Sequence, residues 1–154
     1  MKKFVFAVPA LVLAAAAAVA AAPDFSGTWV LNASRSRNLG MMSSMDDEAS
    51  IRQSGNTLTE KDTTRMMGQV QSRETHYALD GAPTSNVTFM GDPAKTVTRW
   101  DGARLVTTWT SPGAIAGTTT KRTETRFLSP DGKTMTIEST NGSKPPIVFI
   151  FERQ

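Results

Sequence analysis

The chain has 154 residues, with 17 Lys and Arg against 14 Asp and Glu, one histidine and no cysteine. The missing cysteines exclude a disulfide framework and a thiol nucleophile, and the single His76 excludes multi-histidine metal sites. Basic residues scattered along the chain, rather than blocked, speak against a nucleic-acid footprint, and the length suits one domain with a core of its own.

The first segment, "MKKFVFAVPALVLAAAAAVAAA", carries two lysines, an apolar run from Phe4 and the small-residue triplet Ala18-Val19-Ala20. This three-part pattern predicts a secretory signal peptide over residues 1–20, cleaved to leave 21–154 as one β-barrel domain. An uncleaved anchor is the alternative, because the run approaches the roughly 20 residues that span a bilayer. Most of it is alanine, however, which inserts weakly, so no stable membrane insertion is expected after cleavage. Without the leader, 15 basic residues face 14 acidic ones, and the domain is nearly neutral. A periplasmic or secreted protein of bacterial type is expected.

From Phe25 onward one pattern repeats: short alternating segments rich in threonine and apolar residues, separated by turn dipeptides such as Gly55-Asn56, Asp80-Gly81, Gly91-Asp92, Asp101-Gly102, Asp131-Gly132 and Asn141-Gly142. Glycine supplies the positive φ of tight hairpins, and Asp and Asn tolerate it. Strands are predicted near 25–32, 47–53, 56–66, 69–79, 84–90, 94–100, 103–110, 117–128, 133–140 and 146–153. Stiff β-branched side chains favour the extended chain in each, and no helix-period run of useful length occurs outside the leader. The fold class is therefore all-β, an antiparallel up-and-down meander of about 8–10 strands that closes into a barrel to remove its edges.

The clearest hairpin shows how the faces divide. With Asp101-Gly102 as its two-residue turn, Thr98 faces Leu105 and Val97 faces Val106. Thr96, Thr98, Trp100, Leu105, Thr107 and Trp109 share the face suited to the interior, while the face with Arg99 and Arg104 suits water. Met135 and Ile137 alternate cleanly with Thr136 and Glu138. The last strand, "IVFIFER", is apolar on both faces and should be covered on both sides or lie against a partner.

A Gly27-Thr28-Trp29 opening on the first strand of an exported, meandering β-barrel resembles the lipocalins and their wider calycin relatives. The opening "FSGTWVLNASRSR" and the ending "FERQ" are similar to small bacterial secreted lipocalin-like proteins. The resemblance implies a lipocalin-like barrel whose floor is closed by Trp29, with Gly27 making room and an arginine from a late strand stacked on the indole. Arg153 is the first candidate for that arginine and Arg126 the second. These residues would be structural.

No catalytic constellation is present: His76 has no Gly-x-Ser-x-Gly elbow to serve, and a solvated imidazole is the ordinary reading. No cofactor, no metal and no enzymatic activity are expected. The run Asp46-Asp47-Glu48 lacks EF-hand spacing and reads as a solvated strand start. Ligand-lining candidates are Arg73, Tyr77, Phe89, Leu105, Trp109, Met135 and Phe149. Arg73 and Tyr77 alternate onto one face, and an apolar barrel with Arg73 as its one buried arginine suits a carboxylate with a hydrocarbon tail, so a small, largely apolar ligand is the expected partner. A filled, ligand-free barrel is the alternative, and avidin-like biotin binding, with Trp100 and Trp109 lining a cup, is the second. The segment from Ala33 to Asp47, long and without alternation, reads as a lid that lays Met41, Met42 and Met45 on the barrel mouth. Met41 and Met45 are also one helical turn apart, the spacing of a Cu(I) thioether pair.

Overall fold

The computed structural model describes residues 21–142 and 144–154, so the predicted signal peptide lies outside the described residues. Ten antiparallel strands follow one another: β1 (Gly27–Leu31), β2 (Asp46–Ser54), β3 (Thr57–Met66), β4 (Gln69–Ala78), β5 (Asp80–Val87), β6 (Pro93–Asp101), β7 (Arg104–Pro112), β8 (Thr119–Leu128), β9 (Thr134–Thr140) and β10 (Ile147–Arg153). They form one sheet in the order β4-β3-β2-β1-β10-β9-β8-β7-β6-β5. The chain is an all-β meander coiled into a nearly closed barrel.

The two ends of the sheet, β4 and β5, meet without a backbone ladder. Side chains join them instead. The His76 amide donates to Asn86 Oδ1 at 2.9 Å, and the His76 carbonyl accepts from Asn86 Nδ2 at 2.8 Å and Thr84 Oγ1 at 2.9 Å. A carboxamide can donate and accept side by side, so Asn86 acts there as a substitute peptide group.

Because consecutive strands run up and down, their connections alternate between the two ends of the barrel. The floor end carries the β2–β3, β4–β5, β6–β7 and β8–β9 turns, and the mouth end carries the other five connections. At the floor, Trp29 is fully buried, and its Nε1 donates to the Phe25 carbonyl at 2.9 Å. Arg153, paired with Trp29 across β1 and β10, holds its guanidinium carbon 4.2 Å from the ring centroid and donates to the carbonyls of Ser26 and Gly132. Gly27 has φ +138°, and a Cβ there would lie 2.8 Å from Arg153 Nη1. Only glycine tolerates both the backbone and the contact. Arg126, the second candidate for this stack, lies inside the barrel instead.

The β6–β7 hairpin turns at Gly102-Ala103, one residue later than predicted, so Trp100 pairs with Leu105 and Thr98 with Thr107. Shifting the turn by one residue changes each pairing by two, which preserves the faces. Thr96, Thr98, Leu105, Thr107 and Trp109 are accordingly buried. Strand β5 starts four residues before the expected position, with a register irregularity between Asp80 and Pro83. Pro83 has no amide to give to the ladder there. β10 is covered on the edge that β1 leaves early: Arg37 and Val148 exchange backbone hydrogen bonds of 2.8 and 3.0 Å, and the Asn32 amide donates to the Ile150 carbonyl.

Replacing Trp29 with alanine is expected to cost about 3–5 kcal/mol, as for other large buried aromatics. Arg153→Ala should cost less, with a coupling to Trp29 of about 0.5–1 kcal/mol in a double-mutant cycle by chemical denaturation. Additive losses would mean that the stacked contact contributes nothing to the floor.

Candidate ligand cavity

Strand alternation sends alternate side chains into the lumen, and the lumen is filled in one half only. Near the floor Phe25, Trp29, Leu58, Leu105 and Met135 form a solid core, and Trp100 stacks on Phe25 with centroids 6.1 Å apart. Toward the mouth lies a cavity of about 430 Å³. Part of its wall is apolar, with Ile137 on β9, Phe149 and Phe151 on β10, Trp109 on β7, and Phe89. Charged residues line the rest: Asp47 on β2, Glu60 and Asp62 on β3, Arg73 on β4, and Arg122, Glu124 and Arg126 on β8, which lies between β7 and β9.

The charges are organised as pairs. Arg126 and Glu60 are both buried and meet at 2.7 Å, and the Tyr77 hydroxyl donates to the same carboxylate oxygen at 3.2 Å. Arg73 meets Asp62 at 2.7 Å, and Arg122 meets Glu124 at 3.0 Å. Glu124 also accepts from Trp109 Nε1 at 2.8 Å, and Asp47 accepts from Thr64 Oγ1 at 2.8 Å. Three guanidinium nitrogens remain buried without a partner: Arg73 Nε, Arg122 Nε and Arg126 Nη1. A buried N–H left unpaired costs about 1–3 kcal/mol, so these groups call for an acceptor.

Burial dominates the titration of two of the wall's carboxylates. Burial, reinforced by the neighbouring Glu60, pushes Asp62 up to about 7 against the pull of Arg73. Burial pushes Asp47 up to about 6, partly offset by the Thr64 hydrogen bond. The Tyr77 phenol is raised well above its ordinary value by burial and by Glu60, so it stays a neutral donor. Burial disfavours the charged Arg126, but Glu60 more than reverses this, and the guanidinium is held charged.

Of the sequence candidates, Arg73, Tyr77, Phe89, Trp109 and Phe149 line the cavity. Leu105 and Met135 do not; they sit at the floor ends of β7 and β9, where large side chains already fill the lumen. Trp100, needed with Trp109 for an avidin-like cup, is likewise part of the floor. In the first connection, Gly40–Ser44 forms a single 3₁₀ turn. Met42 and Met45 line the cavity, whereas Met41 points away and is exposed. A 3₁₀ turn has three residues per turn, so Met42 and Met45 share a side and Met41 does not, and the pairing of Met41 with Met45 fails for the same reason.

The acidic run divides by alternation, with Asp46 and Glu48 outside and Asp47 inside. Among the described residues, no group of three or more acidic or histidine side chains could hold a metal ion. His76 is exposed beside Glu74 at 3.1 Å.

Sequence reasoning missed Asp47, Glu60, Asp62, Arg122 and Glu124 as cavity residues, and it assigned Arg126 elsewhere. The available signal was parity: Glu60 and Asp62 share it with the apolar Leu58, and Arg122 and Glu124 share it with Arg126, the partner of Leu105.

No known family profile matches the sequence, and no curated protein is significantly similar to it. Solved structures match the fold. The REP1-NXSQ fatty acid transporter is 15% identical, with TM-score 0.65, covering 84% of this chain and 95% of its own. Human cRBP IV is 19% identical, with TM-score 0.63, covering 86% and 99%. A Schistosoma mansoni fatty acid binding protein in complex with arachidonic acid is 17% identical, with TM-score 0.64, covering 84% and 96%. At these identities the likeness is one of fold.

An acid whose pKa is raised on folding keeps its proton in the folded chain at pH values where the unfolded chain has released it. Stability contributed by Asp47 and Asp62 is therefore greatest near pH 4 and lost as pH rises to about 7. Denaturant unfolding across this range should show the decline, and Asp62→Asn should flatten it. A variant that keeps the wild-type slope would show that Asp62 is ionised throughout.

Proposed function

We propose that this chain is an exported binding protein that holds one small amphiphile, a hydrocarbon body with a carboxylate head, in the mouth half of its barrel. The observation that carries the reading is Arg126: a buried, permanently charged guanidinium on the cavity wall whose Nη1 has no acceptor, beside its cross-strand neighbour Ile137 and the Phe149 that pairs with Ile137 in turn. A carboxylate placed there would accept a charge-assisted hydrogen bond while its tail is removed from water. A volume of about 430 Å³ lies within the usual range for small-molecule sites. Two structural neighbours, a fatty acid transporter and a fatty acid binding protein with arachidonic acid, agree with such a guest. The leader pattern of residues 1–20 supports export, and Ala21 would be the first residue of the secreted chain. N-terminal sequencing of the exported protein checks that point, and an intact Met1 in a membrane fraction would contradict it.

The filled-barrel reading holds for the floor half and meets a hollow in the other.

The head-group assignment is tested by displacement of 11-(dansylamino)undecanoic acid with lauric acid and with dodecanol. The acid should compete about 10–100-fold better, the range of a hydrogen bond to a charged group. Because removing Arg126 alone would strand Glu60, the informative variant is Glu60→Gln combined with Arg126→Gln, in which acid and alcohol should compete equally. Equal displacement by acid and alcohol in the wild-type chain would overturn the assignment. Four carboxylates line the cavity against three guanidiniums and the exposed Lys144, so acid binding should tighten from about pH 8 to 6 as Asp62 and Asp47 take up protons.

A further inference from the structure

Among the described residues, six large hydrophobic side chains are exposed, and all six are at the mouth end: Met41, Met67, Val70, Val87, Met90 and Ile115. They sit on or beside four separate connections. Met41 belongs to the β1–β2 segment, Met67 and Val70 flank the β3–β4 turn, Val87 and Met90 the β5–β6 turn, and Ile115 tips the β7–β8 loop. Three of the four floor turns perform the same geometric task with Gly55-Asn56, Gly102-Ala103 and Asp131-Gly132, and the fourth, β4–β5, keeps its Leu79 buried. Reversing a β-chain does not require methionine, so the difference between the two ends has another cause.

The backbone of Met67 gives independent evidence. Met66 pairs with Gln69, which leaves Met67-Gly68 as a two-residue turn with φ of +52° and +75°. That conformation favours Asn or Gly at the first position, and it is uncommon for a residue with a longer side chain. Met67 is 78% exposed, so packing against the rest of the chain does not hold it there.

From this ring we infer that the mouth end docks on an anionic lipid bilayer, inserting the hairpin tips among the head groups. Apolar tips carried on four separate connections around an opening suit a fluid interface, which closes around each one. The charges nearby fit the same partner. Arg37, Arg65, Lys95, Lys121 and Lys144 are exposed at this end, against exposed Asp46, Glu48 and Asp92, and none of the five cations is in an ion pair among the described residues. Cations beside an anionic surface add attraction that salt screens. Met90 belongs both to the ring and to the cavity wall, so docking would set the cavity opening against the bilayer. The surface exists whether or not the cavity takes a guest.

The test is co-sedimentation of the chain, without added ligand, with vesicles of equal parts phosphatidylglycerol and phosphatidylcholine and with phosphatidylcholine alone. The chain should bind the anionic vesicles at least about tenfold more tightly than the neutral ones, and high salt should reduce the binding. Met67→Asn removes a tip while relieving the backbone, so it should raise thermal stability and weaken vesicle binding, a combination that a purely structural role does not produce. The triple variant Met67→Asn, Met90→Ser, Ile115→Ser should lose about tenfold or more in affinity, while Lys133→Glu at the floor should leave binding unchanged. No binding by the wild-type chain, equal binding to both vesicles, or unchanged binding by the triple variant would overturn the proposal. A wild-type dimer in sedimentation velocity that the triple variant dissociates would also overturn it, in favour of a second copy as the occupant.

Discussion

The Arg126–Glu60 ion pair joins β8 to β3 across the inside of the barrel, and the division of the lumen into a solid floor and an open cavity turns on it. Beneath the pair the guanidinium lies 6.0 Å from the Phe25 ring centroid, and beside it 5.7 Å from that of Tyr77. Two charges removed from water are costly where their hydrogen-bonding capacity is not met, and losing one partner of such a pair costs about 3–5 kcal/mol. Glu60 is served by Arg126 and by the Tyr77 hydroxyl. Arg126 is served on one edge only. A hydrophobic pair of similar volume would have continued the floor core upward; this one stops it and leaves a donor facing the space above.

That choice sets the chemistry of the remaining wall. Asp62 stands two residues along the same face of β3 as Glu60, and Asp47 faces the same lumen from β2, so three carboxylates share a region of low dielectric with Arg126 and Arg73. Burial, reinforced by the neighbouring Glu60, raises Asp62 until it titrates near neutrality. The charge of the cavity therefore changes within the ordinary pH range, and the protons of the wall are thermodynamically linked to any ionised guest. The Arg73–Asp62 pair also borders a second hollow of about 450 Å³ at the β4–β5 seam, where side chains rather than a ladder close the barrel. Charge regulation and the weakest seam of the sheet thus meet at the same two residues.

Most of the fold was readable because two local signals agree along the chain. Glycine-containing turns punctuate it, and between them threonine and apolar residues alternate with period two, so ten strands fell within a few residues of their places. Parity survived the misplaced Asp101-Gly102 turn because such a slip changes pairings by two. The charged half of the cavity was not readable by the same rule. Alternation is read by assuming that charge marks the solvent face, and Glu60, Asp62, Arg122 and Glu124 reverse that assumption, as side chains serving a polar lumen do. Their inward parity could be inferred only from the neighbouring Leu58 and from the pairing of Arg126 with Leu105. The long β1–β2 segment was legible, but which of its methionines face the cavity depended on three residues per turn instead of 3.6, and that shift decides between Met41 and Met42.

The most direct test of the buried guanidinium as the reader of an acid head is the ¹³C resonance of palmitic acid labelled at its carboxyl carbon, followed through a pH titration in complex with the chain. Held by Arg126, the carboxylate should give a bound resonance that stays in its ionised position from about pH 9 to below pH 5, under the ordinary carboxyl range. A bound resonance that titrates like the free acid, or the absence of any bound resonance, would contradict the account.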